Sequence, residues 1–463
     1  MRKPTDRARL ATVAIVAMTV SCGRPDDGSL PFYPIDAGPH STSTGTGAAT
    51  CAPVEPPPCT PVGRPTAPVW DPENESCWRP VSFETPCKAG AVEVALQPTL
   101  AAPPLEWEPC DPPSEGCERL GNTLWKTVFA PNWQPPTYTR FSVVKTELGH
   151  RLGVRIEGNL PNLTDRWTFS VVYDEKGRAS HVWRTTLRAG DDDICSLQQP
   201  LVTPSRVWMS VLHIGGDAAA TTNTAFFSGA YDEVDSICDA EHFVGAHQNY
   251  AASDDILAMW VLGGSRVIFY DRIADNAVTV GAPTWDGGPS FPLPQVTASA
   301  AFVLGQTSDL DANGYVWTRE THEAVALVVP PSGSAVPLIA SDGKTLVWIA
   351  GGIPTGERPP QLVDPWIWTS PHATRPEDVV PAKRLPAPPF LGSRAVANDG
   401  MLAFNDIDGT VHIYRLPDLH HWTFKSTYLS PIFIDNSELW LGWEGHVVRQ
   451  RLDALGPGQP GPL

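Results

Sequence analysis

Val396-Ala397-Asn398-Asp399-Gly400-Met401-Leu402-Ala403-Phe404 is a short apolar run, a polar turn, and a second run that ends on an aromatic residue. Asn, Asp and Gly suit a tight hairpin because they tolerate the left-handed region or bond their own backbone. The pattern continues through Asp408-Gly409-Thr410-Val411 towards Leu416. Residues 396–416 therefore read as three short strands joined by two turns.

The same unit recurs along the chain. Six runs read as a strand anchored on an aromatic residue: Trp167 to Tyr173, Arg206 to Leu212, Ile256 to Leu262, Ala300 to Leu304, Thr345 to Ala350 and Met401 to Asn405. Glu438 to Trp443 makes a seventh. Taking Phe169, Trp208, Trp260, Phe302, Trp348, Phe404 and Trp440 as anchors, the intervals are 39, 52, 42, 46, 56 and 36 residues. Their mean, near 45, is the length of one four-stranded propeller blade. Polar turns lead into several anchors, as at Ser253-Asp254-Asp255, Ser341-Asp342-Gly343 and Asp435-Asn436-Ser437. Third strands are expected at Val267 to Tyr270, Tyr315 to Thr318, Trp366 to Trp368, Val411 to Tyr414 and Val447 to Arg449, and fourth strands at Ala277 to Val280 and Ala324 to Val329.

The repeated turn, Leu or Val, any residue, then Trp or Phe resembles the blades of WD-repeat and TolB-type β-propellers over about 300 residues. The resemblance implies an all-β fold and no particular activity; a set of β-sandwich domains is the alternative. Seven blades are expected over residues 123–455, with six or eight as the other counts. The last repeat runs out after its third strand, so a strand from the N-terminal side should complete it and hide both sheet edges. Arg140 to Lys145, with its Phe141, Val143 and Val144, is the expected closing strand. The anchor aromatics are expected to pack between blades.

Upstream the character changes. Arg2, Lys3, Arg7 and Arg9 precede an apolar run from Leu10 to Val20, then Ser21 and Cys22. That order is a secretory signal over residues 1–21, too short in its apolar part to span a bilayer. Thr19-Val20-Ser21-Cys22 resembles the bacterial lipobox, with Thr19 in the place of the usual Leu. The resemblance implies lipidation at Cys22, and Gly23 behind it implies the outer membrane. Residues 22–65, rich in Pro, Gly, Ser and Thr, read as a tether that cannot bury a core. Removing residues 1–21 takes away a net +3, moving the formal charge from −18 to −21. A body that acidic argues against nucleic acid and anionic lipid surfaces as partners, so the membrane would be reached through the N-terminal lipid alone.

Residues 66–122 form a cysteine-rich segment. With Cys22 set aside, eight cysteines remain: Cys51, Cys59, Cys77, Cys87, Cys110, Cys117, Cys195 and Cys238. An even number in an exported chain points to disulfides, and eight allow 105 pairings. Neighbour pairing is the simplest, with Cys110 to Cys117 the most local loop. Zinc is the competing use, and the chain has no CxxC pair. Residues 456–463, rich in Pro and Gly, read as a flexible tail.

One segment carries metal chemistry in its spacing. Asp309, Asp311 and Asn313 offer side-chain oxygens at positions 1, 3 and 5 of a twelve-residue loop, with Gly314 at 6, the Tyr315 carbonyl at 7 and Glu320 at 12. That is a calcium pattern. Its flanks read as strands, so the closer resemblance is to the calcium hairpin of integrin-type propellers. The plain alternative is a polar hairpin turn, with Tyr315 to Glu320 an ordinary strand that carries Glu320 out of reach.

Enzyme signatures such as GxSxG, HExxH and a phosphate-binding Gly-rich loop with Lys are missing from the sequence. The pair His420 and His421 and the run Asp191-Asp192-Asp193 read as solvated loop residues. The expectation is a non-catalytic, lipid-anchored envelope propeller that binds a protein, peptide or glycan. The alternative is a propeller hydrolase or lyase, calcium-assisted or not, whose carboxylates come from separate blades.

Overall fold

The computed structural model describes residues 104–120, 134–159, 166–187, 194–214, 222–231, 241–244, 246–262, 266–281, 294–306, 312–327, 338–341, 346–352, 363–370, 380–384, 395–406, 408–416, 418–425, 430–443 and 446–461, with the short pieces 78–80, 92–95, 98 and 102. Their strands fall into seven antiparallel sheets. Most sheets are consecutive meanders. The third is Ala246–Ala252, Ile256–Leu262, Arg266–Asp271 and Asn276–Gly281, and the sixth is Val396–Asn398, Met401–Asn405, Thr410–Arg415 and His420–Lys425.

The sheets close into a ring. Apolar clusters join the first sheet to the second, the second to the third, the third to the fourth, the fifth to the sixth, the sixth to the seventh and the seventh back to the first. The leading strands of most neighbouring sheets also touch one another, among them Ala246–Ala252, Pro294–Val296, Leu338–Ser341, Val396–Asn398 and Ser430–Ile434. A ring of meanders with leading strands innermost is a β-propeller, and its core lies in the seams between sheets. Of the anchor aromatics, Phe169, Phe302 and Phe404 are fully buried, and Trp208 and Trp440 are 1% and 2% exposed. Trp440 meets Trp107 edge to face, with ring centroids 5.3 Å apart.

Closure uses a different strand from the one expected. Arg140 to Lys145 lies within Gln134–Thr146, which pairs with Gly149–Asn159 through the tight turn Thr146 to Gly149 and leads the first sheet. A partner across two residues outcompetes one hundreds of residues away because little loop entropy is lost. The seventh sheet is instead completed by Cys117–Leu120, which pairs with His446–Arg451, and by Glu108–Pro109 beyond it. Two further N-terminal strands, Val92–Ala95 and Trp78–Pro80, extend the first sheet on its outer side through Ala179–Leu187. Strands of the cysteine-rich segment thus belong to the propeller, which begins well before residue 123. The register of the first repeat also differs: Phe169 sits on the third strand, Arg166–Tyr173, and the second is Gly149–Asn159. Between the second and third sheets, Glu241–Val244 is a fourth strand and Ala246–Ala252 is the next leading strand.

A repeated turn follows the leading strands. Thr203, Ser253, Thr297 and Asp435 each donate their backbone N–H to the carbonyl three residues on, at 2.8–3.0 Å. Several also brace the turn with their side chain. Thr297 Oγ1 accepts from Ser299 and Ala300 amides, and Asp435 Oδ1 from Ser437 and Glu438 amides. At Asp399 and Gly400 the turn is tighter, with φ of 50° and 74°, the twist that matches two antiparallel strands.

Candidate functional site

Polar chemistry among the described residues concentrates in the seams. Where the seventh sheet meets the first, Asp435 has a fully buried carboxylate held by Lys145 Nζ at 2.8 Å and by His150 Nε2 at 3.4 Å. Burial alone would raise its pKa, but the hydrogen bonds from His150, Lys145 and Ser437 outweigh it and hold the group well below the ordinary carboxylate range. His150 packs edge-on against Phe433 and beside Trp440. At the third and fourth sheets, Arg319 donates to Asp271 at 3.0 Å and to Asp255 at 2.9 Å, and Arg272 also reaches Asp255 at 2.6 Å. At the second and third, Trp208 Nε1 donates to the Ser253 carbonyl and Thr203 Oγ1 to Asp254. The closing strand is fixed by Glu118 against Arg449, whose guanidinium also lies 4.2 Å over Trp107. Cys110 and Cys117 are bonded to each other at the hairpin that carries this strand.

Among the described residues, the outer half of the sixth sheet holds the densest array of imidazoles. Its register places Phe404 beside His412 and Tyr414 beside His421, so these four rings share one face. Asp406 Oδ2 lies 2.9 Å from His412 Nε2, and His412 Nδ1 lies 3.0 Å from His421 Nε2. An ionised carboxylate can only accept, so His412 carries its proton on Nε2 and accepts from His421 at Nδ1. Burial, then the neighbouring His412 and His420, push His421 down to about 4. His412 and the amides of Thr410 and Asp408 outweigh burial at Asp406 and keep it below its ordinary value.

On the opposite face of the same strand, His420 and Trp422 receive the C-terminal segment. His420 Nε2 bonds the Pro457 carbonyl at 2.6 Å, Trp422 Nε1 bonds that of Gly456 at 3.1 Å, and His421 and Gln459 exchange two backbone bonds of 2.8 Å. Gly458 has φ +70°, and a Cβ there would meet Trp422 and His420 at 2.6–2.7 Å. The segment read as flexible from residue 456 is docked through Gly461. His420 and His421, read as loop residues, are strand residues in His420–Lys425. Alternation of two adjacent histidines gave no strand signal, and the pairing partner Gln459 lies far along the chain.

Of the residues in the calcium spacing, Asn313, Tyr315 and Glu320 are described. Asn313 lies near the start of Ala312–Thr318 opposite Gly305, while Glu320 is exposed in the turn beyond the other end. At a strand rise of about 3.3 Å per residue they are separated by roughly 20 Å. Tyr315 packs against the core between third and fourth sheets. Asp309 and Asp311 lie outside the described residues, as do Cys22, Cys51, Cys59, Cys77, Cys87, Cys238 and Asp191 to Asp193. Cys195 is in the strand Ile194–Leu197, opposite His213. Among the described residues no group of three or more His, Cys, Asp or Glu is placed to hold a metal ion, and no helix is long and apolar enough to cross a membrane.

No protein-family model matches the sequence, and no curated protein matches it. Solved structures with similar folds include the β-propeller domain of the Trilobed protease from Pyrococcus furiosus, at 8% identity and a TM-score of 0.39 over 70% of this chain and 93% of that one. A chain of the mitotic checkpoint complex is 12% identical with a TM-score of 0.39, over 67% and 86% of the two chains. The acylaminoacyl peptidase of Pyrococcus horikoshii is 10% identical with a TM-score of 0.39, over 68% of this chain and 52% of that one. Likeness this distant carries no function, and the propeller rests on the ring of sheets itself.

Proposed function

We propose that this protein is a seven-bladed propeller, one blade per sheet, held to the bacterial envelope by lipid on Cys22, and that it binds a protein, peptide or glycan without transforming it. The observation that supports this is the asymmetry of the ring. At one end most strands are joined by short turns such as 147–148, 203–205, 253–255, 297–299, 399–400 and 435–437, with 231–240 and 371–379 the longer connections there. From the other end leave the long connections 121–133, 282–293, 328–337, 353–362 and 385–395. Long connections on a rigid scaffold are where binding surfaces are built. The charged groups at the seams are engaged in holding sheets together, which favours recognition at the other end.

The test is chemical crosslinking in intact cells of the native organism, with partners identified from the parent and from a Cys22→Ala variant. A partner set enriched with the parent and lost or redistributed with the variant is the expected result. Turnover of a polymer or ester substrate by the purified protein would overturn the binding-module reading. Soluble protein recovered from parent cells would overturn the anchor.

A further inference from the structure

The Asp406–His412–His421 chain can hold only a limited number of protons. The two imidazoles are nearly coplanar, 11° apart, with centroids at 5.2 Å and facing nitrogens at 3.0 Å. This is an edge-to-edge arrangement with room for one proton between the rings. Both neutral rings satisfy it, and so does a single added proton, because one ring can still donate to the other while Asp406 balances the charge. A second added proton would set N–H against N–H at a hydrogen-bond distance, and the pair must separate.

His421 is also where the C-terminal segment is stitched on, through its own backbone N–H and carbonyl to Gln459. The groups around it come from every packed element: His412 and Tyr414 from the neighbouring strand, Asp406 from the preceding turn, His420 from its own strand, and Arg415 paired with Asp418 at the next turn. From the C-terminal side, Asp453 is paired with Arg451. Tyr414 stacks on His421 with centroids 4.5 Å apart, so the ring cannot swing away on that side without losing this contact.

We propose that residues Gly456 to Gly461 form a proton-sensitive clasp, docked on the sixth sheet at neutral pH and released in acid when the paired imidazoles take up a second proton. The sign follows from the direction of the shift. A histidine whose value is lowered in the docked state, here to about 4 from 6.5, favours docking fully above its ordinary value. That contribution is lost as pH falls towards the lowered one. Release would free the His421 N–H and C=O on the outer edge of His420–Lys425, backbone groups able to pair with another extended segment.

Hydrogen–deuterium exchange on the full chain tests this at pH 7 and pH 4, corrected for intrinsic rates. The expected result is at least tenfold faster exchange in acid at the Gln459 and His421 amides, which bond each other's carbonyls across this edge, with Arg266–Asp271 of the third sheet still protected. His421→Gln keeps a donor for His412 but takes no proton, so its segment should exchange alike at both pH values; His412→Gln should lose the acid response in the same way. Unchanged protection of the parent's segment in acid would overturn the proposal. So would an acid response retained in both variants, or loosening of every sheet together.

Discussion

Replacing Cys110 and Cys117 together by Ala perturbs ring closure at one point. The disulfide spans a sequence separation of seven and ties Glu108–Pro109 to Cys117–Leu120, the strand that completes the seventh sheet. Closing a loop of about eight residues restricts the unfolded chain by roughly 8 cal/mol/K, which is about 2.5 kcal/mol at room temperature. Both cysteines are also buried, at 9% and 5% exposure, in a cluster with Met401, Ile413 and Leu441. Their loss adds about 1 kcal/mol. The expected total is roughly 3.5 kcal/mol, or a fall of about 1.2 M in the urea midpoint at a slope near 3 kcal/mol/M. The assay is urea unfolding followed by tryptophan fluorescence, because Trp107 and Trp440 pack at this seam. The reduced parent keeps both sulfurs, so losing this cross-link should lower its midpoint by about 0.8 M, less than in the variant. A variant as stable as the oxidised parent would refute the assignment of this hairpin to closure.

Asp435→Asn should lower stability at pH 7 by about 2 kcal/mol, less than a fully buried pair because Lys145 is half exposed. Since the Asp435 value is lowered, its contribution is present above the ordinary 3.8 and lost as pH falls below it, so the variant's melting temperature should converge on the parent's in acid. Arg319→Ala should cost about 1–2 kcal/mol, and a double-mutant cycle with Asp255→Ala should give a coupling well above that of an exposed pair. Gly458→Ala should undock the C-terminal segment at neutral pH, read as proteolytic cleavage near residue 458 in the variant alone, because its Cβ has no space beside Trp422. Glu320→Gln should leave any calcium-dependent change in melting temperature untouched, while Asp309→Ala with Asp311→Ala should remove it; a loss with Glu320→Gln would put that residue back in the loop.

The second and third strands of most sheets were legible because β-branched and aromatic runs are bounded there by Asp, Asn and Gly. The first sheet was not, since its second strand contains Gly149, Arg151, Gly153, Arg155, Glu157 and Gly158, a composition that reads as a loop until Arg155 is seen buried at 7% exposure with a bond to Ser196. Strand Glu108–Pro109 and Trp78–Pro80 are two and three residues long and each ends on Pro. Nothing local marks them, and they exist because an open sheet edge accepts them. The repeated turn at Thr203, Ser253, Thr297 and Asp435 was within reach, since each begins on a side chain able to bond its own backbone. The imidazole chain was not, because the strand offset that joins His412 to His421 is a property of pairing rather than of spacing.

Glu118 and Arg449, which meet at the closing seam, are 331 positions apart in the chain. Synthesis begins at the N-terminus, so the strand Cys117–Leu120 emerges early and its partner His446–Arg451 almost last. Until then the nascent molecule carries two unsatisfied sheet edges, one at each side of the same gap. Contacts of such long range are slow to form and expose edges to intermolecular pairing. The joint that makes the finished ring durable is therefore also its point of greatest exposure during biogenesis, and truncation anywhere before residue 446 leaves the ring open.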